Sequence, residues 1–153
     1  MFAQDDLGTL VNQLIRHYFD AKEDYRLAAG RATDEAIKLQ LTERVAEREG
    51  FHMALQQLIS EAGEEQSDNG TITADFKREW ERARGIVATD GLDTAVSLAH
   101  KSDASAIAVA ETILRRTQQD RFSIVIAEQH ARLIEARQRD AAASTVVAVA
   151  QTA

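Results

Sequence analysis

The chain has 153 residues, with 25 acids against 18 bases for a net charge of −7, and is 44% hydrophobic and 28% charged. That length suits one domain with a sizeable core, and a surface of that sign repels phosphate backbones and anionic lipid, which excludes nucleic acid or a membrane surface as expected partners. The absence of cysteine excludes disulfides, thiol catalysis and thiolate metal sites, and the absence of proline, with only seven glycines, points to long unbroken helices.

The first ten residues, MFAQDDLGTL, lack a basic region followed by an apolar run, so no secretory leader is expected. No stretch approaches a membrane span in length, and a cytoplasmic setting is the expectation. Leu7, Leu10, Leu14, Tyr18, Ala21, Tyr25 and Ala28 recur at three- and four-residue steps, which predicts a helix over 6–29 that Gly30 can stop. Thr33 offers an N-cap for a second helix, with Asp34 and Glu35 in its first turn. Ile37, Leu41, Val45, His52, Leu55 and Ile59 carry the face of that helix until Gly63.

GEEQSDNG, residues 63–70, reads as a polar loop. Ile72, Phe76, Trp80, Ala83 and Val87 then outline a shorter helix, and TDG at 89–91 turns the chain again. Leu92, Val96, Ala99, Asp103, Ile107, Ala110 and Leu114 mark a third long helix. A fourth runs over 119–140 and shows Phe122, Val125, Gln129, Leu133 and Ala136, although the junction at TQQD (117–120) carries no Gly or Pro signal. The expected fold is all-α, a four-helix bundle with a short extra helix between the second and third long helices. Residues 1–140 form its single domain, and the small-residue apolar tail 141–153 extends the last helix, docks on a neighbour or stays disordered. The extra helix can return the chain along the bundle, as a long crossover does, so that the third helix runs parallel to the second.

Three stretches carry a resemblance: YRLAA (25–29), ISEAGEEQSDNGTITADFKREW (59–80) and HKSDASAIA (100–108). Together they resemble an uncharacterised bacterial ferritin-like family of four-helix-bundle proteins, a domain of unknown function of the DUF2383 type, over roughly residues 7–139. The resemblance implies the fold and an oligomeric habit, and no activity. Two departures are visible: the TQQD junction lacks the prolines that often mark that turn in the family, and Asp103 stands where a Glu is usual.

EREGFHM (47–53) contains Glu49-x-x-His52, the spacing with which helix bundles present two iron ligands from one face. A two-iron site needs an inward Glu from each of two helices and a Glu-x-x-His from each of the other two. On the first helix Glu23, Asp20 and Asp24 fall off the core stripe, leaving no inward acid. On the second, His52 lies near the centre of the stripe and Glu49 on its flank, a solvated residue beside a core histidine unless the helix rotates to let both meet a metal. On the last, Glu128 and His130 straddle the inward Gln129, and the residue three before His130 is Ala127.

The inward polar set is therefore Tyr18, Tyr25, His52, Asp103 and Gln129, a buried polar core with no cofactor and too few ligands for iron. Asp103 must find a partner, and Tyr18, Arg44 and Arg48 are the candidates if the second and third helices are parallel. No catalytic triad, strained nucleophile or phosphate loop is present, so the chain does not read as an enzyme. Apolar residues off the stripe, namely Ile15, Phe19, Phe51, Leu58, Ile124 and Ile134 with Gly50 among them, suggest a subunit interface and a homo-oligomer. The expected role is structural or in protein interaction, extended to stress by analogy with ferritin-like relatives. The alternatives are iron oxidation or storage with Glu49 and His52 as ligands, and a small-ligand carrier with a cavity beside Tyr25 and Asp103.

Overall fold

A computed structural model describes residues 2–61, 78, 79, 82, 91–117 and 120–152. Four long helices account for almost all of them: α1 (Phe2–Arg31), α2 (Glu35–Glu61), α3 (Leu92–Arg116) and α4 (Arg121–Thr152). The shorter helix expected over 72–87 falls largely outside the described residues. No strand occurs among those described, and none of their helices is long and apolar enough to cross a membrane.

The inner boundaries fall within about two residues of the sequence reading, whereas α1 begins at Phe2, four residues before position 6, and α4 ends at Thr152, twelve beyond position 140. α1 runs through Gly30 to Arg31. The N-cap of α2 is Asp34, not Thr33, because its carboxylate accepts the amides of Ala36 at 2.9 Å and Ile37 at 3.1 Å. At the TQQD junction Asp120 and Ser123 form a reciprocal cap. The Ser123 amide donates to the Asp120 carboxylate at 2.7 Å, and the Asp120 amide donates to the Ser123 hydroxyl at 3.0 Å. That box starts α4 without glycine or proline. α4 then continues through the 141–152 stretch, so the small apolar tail extends the last helix.

α1 packs most extensively on α3 and α2, while α4 packs more thinly on α3 and α2. Tyr18 meets Phe51 and Tyr25 meets Arg44, which makes α1 and α2 antiparallel. Tyr25 also reaches Asp103, and α1 and α3 are antiparallel as well, because the Leu14 end of α1 clusters with Ile113. It follows that α2 and α3 are parallel, facing each other across the bundle diagonal, and that the chain leaves α2 at one end and enters α3 at the other.

Two apolar clusters fill the interior. One, rich in branched side chains, joins Leu14, Ile15, Leu55, Ile113, Ile126 and Leu133. The other, rich in alanine, joins Ala21, Ala28, Ala29, Ala95 and Ala99 with Leu41 and Tyr25. Alanine lets α1 and α3 approach closely, and it turns α3 so that Ala95, Ala99, Ser102, Ala106, Ala110 and Ile113 lie innermost rather than the predicted Leu92, Val96 and Leu114.

The same logic corrects α2. Its buried face is Leu41, Arg44, Arg48, Phe51, His52, Leu55 and Leu58, whereas Ile37 is exposed and Val45 and Ile59 are half-buried. Ile15, Phe19, Phe51 and Leu58, read from sequence as candidates for a subunit interface, are all buried within the single chain. Ile134 is half-buried against the first cluster, and of that group only Ile124 is exposed. α1 has neighbours on both flanks, so its buried arc covers well over half its circumference. Among the described residues nothing lies within 4 Å of the place a side-chain carbon would take at Gly50, so none of the four helices makes a close approach there.

Candidate functional site

The centre of the bundle, where the two apolar clusters meet, is polar. Arg48 sits at a core position of α2 with its side chain fully buried. Its Nε donates to Asp103 Oδ1 at 2.8 Å and its Nη2 to Asp103 Oδ2 at 3.1 Å, while Nη1 pairs with Glu47. The guanidinium also lies over the rings of Tyr25 and Phe51, 5.6 Å from each centroid. Tyr25 donates its hydroxyl to Asp103 Oδ2 at 2.5 Å.

One turn earlier on α2, Arg44 donates to the Tyr25 hydroxyl at 3.3 Å and grips Asp140 of α4 with two nitrogens, at 2.5 and 2.7 Å. Asp140 in turn meets His100 Nε2 of α3 at 3.1 Å. His100, Asp140, Arg44, Tyr25, Asp103 and Arg48 thus form a continuous polar ring with a member from every helix.

Further along the axis, Tyr18 donates to Gln129 Oε1 at 2.9 Å, and Gln129 Nε2 donates to the Phe51 carbonyl at 3.3 Å. Of the five residues predicted to point inward, Tyr18, Tyr25, His52 and Gln129 are buried. Asp103 stands at the edge, its side chain 14% exposed, with Arg48 as the partner that the parallel geometry allows. His52 is separate from the ring and packs against Phe19 in a T-shaped arrangement, the ring centroids 6.5 Å apart.

The first helix needs a correction. Asp24, placed off the core stripe by its periodicity, is fully buried and accepts a hydrogen bond from Ser102 at 2.9 Å. The wide buried arc of α1 is the reason, since α3 covers a flank that a single-stripe reading leaves to solvent. The residues missed altogether are His100 and Asp140. Asp140 carries a signal: Gln129, Leu133, Ala136 and Asp140 follow one another at helical spacing, so the stripe continues one step past Ala136.

The electrostatics follow the contacts. For Asp140, burial alone pushes the carboxyl up, but its hydrogen bonds with His100 and Arg44 outweigh this and hold it at about 2. Burial raises both tyrosine hydroxyls, and for Tyr25 the charge of Asp103 adds to the effect. Glu49, the acid of the apparent iron motif, is held below its usual range by a hydrogen bond from Lys22 at 2.8 Å. Its carboxylate already serves an ammonium, and among the described residues no group of three or more His, Asp or Glu side chains is arranged to hold a metal ion. Glu111 and His130 touch at 3.4 Å as an isolated pair, and Glu128 is exposed, bridged to Arg132 at 3.0 Å.

The family described as "Domain of unknown function (DUF2383)" matches residues 7–116. The chain belongs to that family. The DUF2383 match covers α1 to α3 and stops short of α4, where the resemblance read from sequence had continued to 139. Within the ring, Tyr25, Arg44, Arg48, His100 and Asp103 therefore fall inside the matched DUF2383 region, and Asp140 lies beyond it. No curated protein and no solved structure matches the chain.

Proposed function

We propose that this chain is a non-catalytic, ferritin-like bundle that serves a structural or protein-interaction role. The observation that supports this most directly is the mutual satisfaction of the buried charges. Arg48 is matched by Asp103 and Glu47, Arg44 by Asp140, Lys22 by Glu49, and Asp24 is bonded to Ser102. Catalytic and metal-binding groups are arranged the other way, with shifted acids and bases converging on an open position. Here the groups close on one another, which favours a unique helix register over chemistry. The ferritin-like label draws on the parallel α2 and α3, the arrangement that a long crossover produces.

Self-association in a cytoplasmic setting belongs to the same proposal. It draws on the family resemblance and on the exposed Ile37, Leu39, Met53 and Ile124, while Ile15, Phe19, Phe51 and Leu58 are interior. Ferrous iron added to the purified chain in air tests the central claim. The expected result is dioxygen consumption no faster than in buffer and no stoichiometric uptake. Stoichiometric uptake that disappears in His52→Ala would replace this reading with iron oxidation or storage. Sedimentation equilibrium tests the assembly, and a monomer at every concentration would remove that part of the proposal.

A further inference from the structure

A half-open groove of about 310 Å³ runs between α3 and α4 along the outer side of the polar ring, within the size range of small-molecule sites. Ala104 and Ala141 line it, and their short side chains leave the space open. Their methyl groups are its accessible apolar surface, and Ile107 and Leu133, almost wholly buried members of the apolar core, lie beneath as its floor. Its polar wall is His100, Asp103, Arg137 and Asp140.

The charges in this wall are unequal in what they have left to offer. Asp103 is bound by Arg48 and Tyr25, and Asp140 by Arg44 and His100. Each carboxylate therefore faces the groove with its charge already matched by a buried guanidinium, and a cationic ligand would have to displace an arginine to reach it. Arg137 differs: its exposed guanidinium makes no hydrogen bond or ion pair with the described residues. The uncommitted charge of the groove is thus positive, beside an apolar surface.

We infer that the groove between α3 and α4 binds a small amphiphilic carboxylate, its head on Arg137 and its apolar body over Ala104 and Ala141. The guanidinium fork suits a planar carboxylate, which can take two parallel hydrogen bonds from it. His100, at the rim, offers a second polar contact. Arg137 is not part of the ring, so its replacement tests the groove without removing a contact of the bundle's polar centre.

Titration of the isotope-labelled full chain with hexanoate, hexylammonium and hexanol, followed by amide resonances, tests the inference. Hexanoate is expected to give saturable shifts in the millimolar range, centred on residues 100–107 and 133–141, and hexylammonium none there. Arg137→Gln should weaken hexanoate binding about tenfold or more, the loss of a charge-assisted bidentate contact, while Arg139→Gln, on nearly the opposite side of the helix, leaves it unchanged. Both substitutions are at exposed positions, and an unaltered melting temperature confirms that each variant is folded. The inference is overturned by an absence of saturable shifts, by equal binding of hexylammonium or hexanol, or by equal losses in the two arginine variants.

Discussion

Replacing Asp103 with leucine probes the ring at its most buried joint. The substitution removes the acceptor for two nitrogens of a guanidinium whose side chain has no solvent exposure, and it also strips the Tyr25 hydroxyl of its acceptor. Deleting one partner of a buried ion pair costs roughly 3–5 kcal/mol. Glu47 remains on Arg48 and Asp103 is slightly exposed, which places the loss near the lower end, at about 3 kcal/mol. A domain of this kind has roughly 5–15 kcal/mol of stability in total, and each kcal/mol lost lowers the melting temperature by roughly 2–4 °C at this size. A drop of roughly 6–12 °C is therefore expected from thermal melts followed by helical circular dichroism, with urea unfolding supplying the free energy. The companion variant Asp103→Leu/Arg48→Met removes both charges and should regain most of the loss, because apolar replacements of a buried pair are often neutral or better. A single variant within about 1 kcal/mol of the parent, well below the range for a broken buried pair, would refute the reasoning. So would a double variant no more stable than the single one.

Gln129→Leu should cost about 1–3 kcal/mol in urea unfolding, because it orphans the buried Tyr18 hydroxyl and removes a second bond from the Phe51 carbonyl, which keeps its place in the α2 ladder. Tyr18→Phe added to it should recover part of that loss. The folded-state value of Asp140, about 2, lies below its unfolded value, so its contribution is complete above about pH 4 and is lost as the pH falls towards 2. Asp140→Asn should flatten acid unfolding in that window, and an unchanged acid limb would contradict the assignment. Tyr18 and Tyr25 are the chain's two tyrosines, and both hydroxyls are raised by burial. Their contribution is full below about pH 10 and lost above it, so tyrosinate absorbance should rise only together with loss of helical signal. Asp120→Ala should remove the cap of α4 and cost about 1 kcal/mol, read as a shifted unfolding midpoint.

The number and order of the long helices were legible because apolar spacing survives any rotation of a helix about its axis. What periodicity could not give was the azimuth. Arg44 and Arg48 occupy core positions of α2, and a reading that assigns arginine to solvent turns that helix towards Val45 and Ile59 instead. On α3 the innermost residues are alanines, whose weak hydropathy is outvoted by Leu92, Val96 and Leu114 although close packing favours the smaller side chains. Asp24 was hidden for a related reason: how wide an arc is buried depends on how many neighbours a helix has, and that is a tertiary fact. The partner of Asp103 could be narrowed to a few residues once α2 and α3 were taken as parallel, because direction fixes which levels coincide. That no second Glu-x-x-His accompanies Glu49-x-x-His52 was legible in the sequence itself. The Lys22 contact that occupies Glu49 was not, since it joins two flanks that sequence alone leaves unrelated.

Because α2 and α3 point the same way, the chain divides between them into two helical hairpins with opposite electrical character at the ring. α1 and α2 bring Arg44 and Arg48 to it, while α3 and α4 bring Asp103 and Asp140. Two hairpins of the first kind would confront guanidinium with guanidinium, and two of the second carboxylate with carboxylate. Halves made as separate polypeptides would accordingly seek each other rather than copies of themselves, a built-in preference that makes the linker between them the natural place to cut for a split reporter.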